Sequence, residues 1–201
     1  MPLTRKLPLV VCLALSLPAF AQGAAPAAQA PAAQAPAPAP AAAASTFQSD
    51  AVGVLGHVQE ELVGLEQAMP QAKFTWRPAK GVRSVAEVYL HAAGASYFFG
   101  KMLGFDIPAD IAAQMKTFEK STTDKAKIQK AMIDSFTWFA NAVKQMPDAE
   151  LSKTVDFFGH TMSKRALVMI ALGHFQEHLG QSIAYARSNG VVPPWSKKGD
   201  S

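Results

Sequence analysis

Cysteine is nearly absent from this 201-residue sequence, with Cys12 its single representative. Cys12 lies inside an apolar run, Leu7 to Phe20, that follows Arg5 and Lys6 and ends at Ala19-Phe20-Ala21. A basic start, a short apolar stretch and an A-x-A site compose a secretory signal. The run falls short of the roughly 20 residues a membrane-spanning helix needs. The expectation is a signal peptide over residues 1–21, cleaved near Ala21, and a periplasmic or secreted product with no membrane span in its mature form. More apolar residues follow Cys12, which argues against a lipid anchor there. The mature chain then has no cysteine, which excludes a disulfide framework, a thiolate nucleophile and a thiolate metal ligand. Any metal site must be built from His, Asp and Glu.

Strong charge is also missing. Loss of Arg5 and Lys6 lowers the formal charge from +4 to about +2. No basic stripe interleaved with aromatics is present, so nucleic acid is not an expected partner. Residues 22–45 lack charged and large apolar side chains and consist almost wholly of Ala, Pro and Gln. Such a segment buries too little surface to offset its ordering entropy, and reads as a disordered linker. The expected domain covers 46–195, with a flexible tail at 196–201.

Period-two alternation and internal repeats are lacking as well, whereas helical spacing is plentiful. Ala51, Leu55, Val58, Leu62, Leu65 and Met69 alternate four and three residues apart, predicting a helix over Thr46 to Met69. Ser45 with Gln48 suits a capping box there, and Pro70 stops the helix. Ser84 with Glu87 opens a second helix that runs to about Phe99, with Gly100 at C′. The connection from Lys101 to Thr123, with a short helix near Asp110 to Phe118, is too long for a tight antiparallel turn and suits an external crossover. A third helix spans Asp124 to Met146, with Ile128, Met132, Phe136, Phe139, Val143 and Met146 inward. Ser121 with Asp124 helps to cap it. Leu151 to Met162 reads as irregular, packed by its aromatics over one end of the domain. A fourth helix spans Ser163 to Ser188, stopped by Asn189-Gly190. Its apolar residues fall on two sides, with Leu167, Ile170 and Ala171 leading to two histidines, so it is expected to be the most buried of the four. The fold class that follows is all-α, a four-helix bundle.

Histidines are few, five in all. His174 and His178 are one helical turn apart and leave the same face. A buried helix carries two polar rings toward the core only when they are paired with something, and two imidazoles so placed suit one transition metal. His91 is the natural third ligand, mid-helix among Ala92, Ala93, Gly94, Ala95 and Ser96. Those small side chains admit a close neighbour or leave space above His91. His160 is the reserve candidate, and His57 lies off the apolar seam and should be solvated. His174 to His178 also spells H-x-x-E-H, the inverted zinc-protease motif with Glu177 as base. That chemistry needs a downstream carboxylate, and only Asp200 follows. Glu177 is therefore read as a solvated residue.

Gly81-Val82-Arg83-Ser84-Val85-Ala86-Glu87 leading to His91, then Gly173-His174 through His178-Leu179-Gly180-Gln181, then Gly190-Val191-Val192-Pro193-Pro194-Trp195, resemble the DinB-like superfamily over Phe47 to Trp195. The resemblance implies a four-helix bundle of up-down-down-up order with the long crossover between helices two and three. It also implies a divalent metal held by His91, His174 and His178. Members of known activity include thiol-dependent transferases and isomerases using bacillithiol or mycothiol, from which this sequence departs in carrying an export signal. A three-histidine site suits zinc, nickel, iron or copper, with zinc or nickel favoured. The function expected is a metal-dependent hydrolase or group transferase acting on a small molecule. The alternatives are a non-catalytic metal- or ligand-binding periplasmic protein and a structural bundle. Beyond a small molecule, a homodimer is the partner compatible with such a domain.

Overall fold

The computed structural model describes residues 45–198. The expected export signal at 1–21, nearly all of the expected linker at 22–45 and the end of the expected 196–201 tail lie outside the described residues. Within them the chain is mostly helical, with six α-helices and one two-stranded sheet. Among the described residues no helix is long and apolar enough to cross a membrane.

Four helices are long: α1 (Phe47–Ala68), α2 (Val85–Met102), α4 (Lys125–Gln145) and α6 (Lys164–Ser188). Two are short, α3 (Ala109–Gln114) and α5 (Asp148–Leu151). α1 packs on α4 and α6, and α2 packs on the same two, so the long helices close a ring in the order α1, α4, α2, α6. The seams of α1 and α4 expected from spacing are buried at every position. Tyr89, Phe136, Phe139 and Phe175 fill the space between the helices.

Caps fix where each helix starts. Ser84 Oγ accepts from the Glu87 amide at 3.3 Å while Glu87 Oε2 accepts from the Ser84 amide at 2.7 Å, the reciprocal box expected. For α1 the cap is Thr46, paired with Ser49, one residue beyond the Ser45 and Gln48 pair. Asp124 caps α4 by itself, through the Lys127 amide. α2 runs past Phe99 to Met102, and Gly104, at φ 101, serves as the left-handed stop in place of Gly100. Gly100 has another use: a Cβ there would stand 2.2 Å from Trp138 Cζ3.

Three expectations are corrected. Leu151 to Met162 is not irregular: β1 (Thr154–Phe157) pairs antiparallel with β2 (His160–Ser163), Phe157 opposite His160. The two-residue turn, Phe158-Gly159, has φ 52 and 83, the paired positive angles that match the twist of a tight hairpin. The domain is therefore not purely α. Nor is the fourth helix the most buried. α2 buries twelve of its 18 residues and α6 nine of 25. α2 is covered by α4, α6 and the crossover, whereas α6 keeps an open side. Ile170 and Met169 lie on that open side, 38% and 61% exposed.

Candidate metal centre

His91 sits at the end of the second turn of α2, and its position is set from the loop before that helix. The Val85 amide donates to the Trp76 carbonyl at 3.0 Å and the Ala86 amide to the Phe74 carbonyl at 2.9 Å. Phe74 is fully buried. The start of α2 is thus pinned, and Arg83 beside it.

α6 brings His174 and His178 up against His91. Ring centroids are 5.1 Å apart for His91–His174, 4.6 Å for His91–His178 and 4.4 Å for His174–His178. The planes are tilted by 58°, 72° and 80°. The rings are therefore turned toward a common point rather than stacked. One nitrogen from each lies within 4.8 Å of the other two. Among the described residues this is the group of histidines and carboxylates arranged to hold a metal ion.

The remaining ring nitrogens show which atoms are free. His91 Nδ1–H donates to Glu119 Oε2 at 3.0 Å, and His178 Nδ1–H donates to Gln181 Oε1 at 2.9 Å. Those partners assign the tautomer and leave the lone pair on Nε2 of both rings. His174 Nε2 is buried with no hydrogen-bond partner. A buried, orphaned imidazole nitrogen facing two such rings is costly unless something occupies the space between them. The residues fit a divalent transition metal: neutral nitrogen donors, oriented by outer hydrogen bonds.

Electrostatics keep His91 and His174 neutral. Burial pushes His174 down to about 4, helped by the neighbouring His178, His91 and Arg83. Burial also lowers His91, with Arg83 adding to it and the Glu119 hydrogen bond opposing. Protons therefore do not compete for these two nitrogens near neutral pH. Burial works to raise Glu119, but the hydrogen bonds and charges of Arg83 and His91 outweigh it and hold the carboxyl below its ordinary range. Glu119 is an anion at neutral pH.

Glu119 is the site residue that spacing did not reveal. It lies in a short 3-10 turn, Phe118–Lys120, of the crossover, where Phe118 packs into the space left by Gly94. Arg83 Nε donates to its Oε1 at 2.7 Å and Nη2 to its Oε2 at 3.2 Å. The backbone of Arg83 serves the other side of the site. Its carbonyl accepts from Tyr185 Oη at 3.1 Å, which in turn accepts from Gln181 Nε2 at 3.2 Å. A single circuit, His91–Glu119–Arg83–Tyr185–Gln181–His178, therefore braces two of the three rings. The only sequence hint was that Arg83 and Gln181 fall in the segments flanking the histidines.

The other candidates lie elsewhere. His160 is exposed on β2 and takes no part in the cluster. His57 is 70% exposed and pairs with Glu61 at 3.7 Å. Glu177 is exposed. The small residues of α2 fill both expected roles: Ala92 and Ala93 are fully buried, whereas Gly94 and Ala95 line a cavity of about 350 Å³ that opens beside His91, His174 and Glu119.

Comparison with known proteins agrees with the helical fold. A family profile described as the DinB superfamily matches residues 55–182. A DinB-like protein from Bacillus cereus aligns with a TM-score of 0.64 at 19% identity, covering 74% of this chain and 98% of that one. A DinB-like protein from Bacillus subtilis gives 0.57 at 17% identity, covering 71% and 93%. A conserved protein from Enterococcus faecalis gives 0.62 at 15%, covering 72% and 97%. At such identities the likeness speaks to the fold. No curated protein matches the chain significantly.

Proposed function

The chain belongs to the DinB superfamily, and from that premise we propose that it is an exported divalent-metal protein whose His91, His174 and His178 hold the ion and act on a small molecule. The orphaned Nε2 of His174 carries this reading, because an unsatisfied buried donor set is otherwise a net cost to folding. The long helices are read as an up-down-down-up four-helix bundle, with the segment from Leu103 to Asp124 as its crossover. Localisation is proposed as periplasmic or secreted, after cleavage near Ala21. Zinc or nickel is the favoured ion, since three imidazoles suit both and iron or copper as well.

When bound, such an ion supplies Lewis-acid polarisation of a carbonyl or leaving group, the basis of metal-dependent hydrolysis or group transfer. The chain's own residues bind, orient and shield. Glu119 and Gln181 fix the tautomers of His91 and His178, Arg83 ties those two partners together, and the cavity wall keeps bulk water from one side of the site. A second reading, non-catalytic metal or ligand binding, is favoured by one observation. Both oxygens of Glu119, the carboxylate lining the cavity, are already engaged by Arg83 and His91, so it is poorly placed to take a proton from a substrate.

Elemental analysis of the purified protein beside a His174→Ala, His178→Ala variant tests the proposal. The expected outcome is about one equivalent of a transition metal in the wild type and none in the variant. Wild-type protein that stays metal-free after reconstitution, with unchanged thermal stability, would overturn it.

A further inference from the structure

The polar groups of the cavity beside the three imidazoles lie at one end only, at His91, His174 and Glu119. Much of the remaining wall comes from Phe98 and Phe99 of α2, Phe118 and Met115 of the crossover, and Phe157 and Phe158 of the hairpin. No lysine or arginine lines it. The one carboxylate is already paired with Arg83. A phosphate or sulfonate therefore finds no fixed cation, and a polyol finds no free hydrogen-bonding groups along the wall. Each polar atom placed there loses water without replacement. At about 350 Å³ the space falls within the range of small-molecule sites.

Phe158 is the residue that packing alone does not explain. Its backbone, at φ 52, is in the left-handed region that bulky side chains avoid, at a turn position that favours Asn or Asp. Phe158 is 77% exposed, and its ring lies nearly parallel to Phe98 at 6.1 Å and edge-on to Phe157 at 4.7 Å, on the rim of the cavity. Little core packing is gained in return for the strain. Strain held for ring contacts that lie on the cavity wall, at Phe98 and Phe157, points to function.

We propose that the cavity takes a small molecule with an aromatic or alkyl body and one metal-seeking polar head, and that Phe158 is a specificity-determining residue that grips that body. The head-group half rests on the metal-centre reading above; the apolar subsite does not depend on a metal.

Two kinds of probe keep the two readings apart. Acetohydroxamate and benzohydroxamate share a chelating head and differ in the phenyl ring. N-Phenyl-1-naphthylamine is a neutral dye that brightens in apolar sites and does not chelate. Zinc-loaded wild type is expected to bind benzohydroxamate about tenfold or more tighter than acetohydroxamate, the gain from burying one phenyl group. Phe158→Asn should cut that ratio to about threefold or less, with zinc content and acetohydroxamate affinity unchanged. The dye should brighten with wild type whether zinc is present or stripped, and more weakly with Phe158→Asn. Equal affinity for the two hydroxamates, a ratio unmoved by Phe158→Asn, or no brightening with wild type would each overturn the proposal. If zinc does not bind, the metal-centre reading fails alone and the dye titration decides this one.

Discussion

Glu119 and Gln181 perform the same task for two different rings, each accepting an Nδ1–H so that Nε2 presents its lone pair. Glu119 does so as an anion and carries the Arg83 fork as well, so its loss should cost more. Glu119→Ala is expected to weaken metal affinity by roughly 10- to 100-fold, read by competition with a chromophoric chelator, and Gln181→Ala by less. A second residue acts far from any ligand. Glu66 is fully buried in α1, with neither carboxylate oxygen hydrogen-bonded. Burial raises it from 4.5 to about 7, against the pull of Lys125. Burial, and after it the nearby Glu66 charge, push Tyr89 upward. Between pH 4.5 and about 7 the folded protein keeps a proton that the unfolded chain has lost. The Glu66 contribution to stability therefore falls as pH rises through that window, by about 3 kcal/mol at most, and is opposed there by His174, whose lowered pKa makes its own contribution rise with pH. Glu66→Gln has no proton to lose and should remove that falling contribution, so from pH 5 to pH 8 the variant declines less, or rises more, than the wild type. Urea midpoints at pH 5 and pH 8 for both proteins check this, and a wild-type decline no larger than the variant's would rule it out.

At the scale of elements, the hairpin and α2 give opposite tests. Asn-Gly is the sequence that a tight turn with two positive φ angles prefers. Phe158→Asn should therefore stabilise the protein by about 1 kcal/mol, seen as a higher urea midpoint, because little buried area is lost with an exposed ring. Gly100→Ala should do the reverse. Its Cβ would meet Trp138 within 2.4 Å, and displacing an indole packed against Tyr97 costs roughly 1–3 kcal/mol. These elements also show what could be read in advance. The seams of α1 and α4 and the Ser84–Glu87 box were legible because spacing and capping are local properties. The hairpin was hidden by strands of only four residues and by a phenylalanine where turn chemistry leads one to expect asparagine. His174 and His178 announce themselves by their spacing. The partnership of His91 with Glu119 does not, because it spans 28 residues and depends on how the crossover lies against α2.

For the whole molecule, the ring of long helices puts the three histidines on α2 and α6, two helices that pack directly on each other. A metal bridging them binds the folded state and not the separated helices. Saturation at about 100 times the dissociation constant should add about 2.7 kcal/mol of stability. Chelator treatment is accordingly expected to lower Tm in the wild type and to leave the His174→Ala, His178→Ala variant unmoved.

The circuit through Arg83 bears on the order of events in the protein's life. Its rings are aimed by the chain's own hydrogen bonds and its helices are joined by their own core, so folding does not have to wait for the ion. If the site holds a metal as proposed, folding can precede loading. For a chain exported by the proposed route, the ion would be taken from the supply beyond the membrane. The metal found in the mature protein would reflect the compartment where folding ends, and expression in the cytosol would fill the same three-histidine site with a different one.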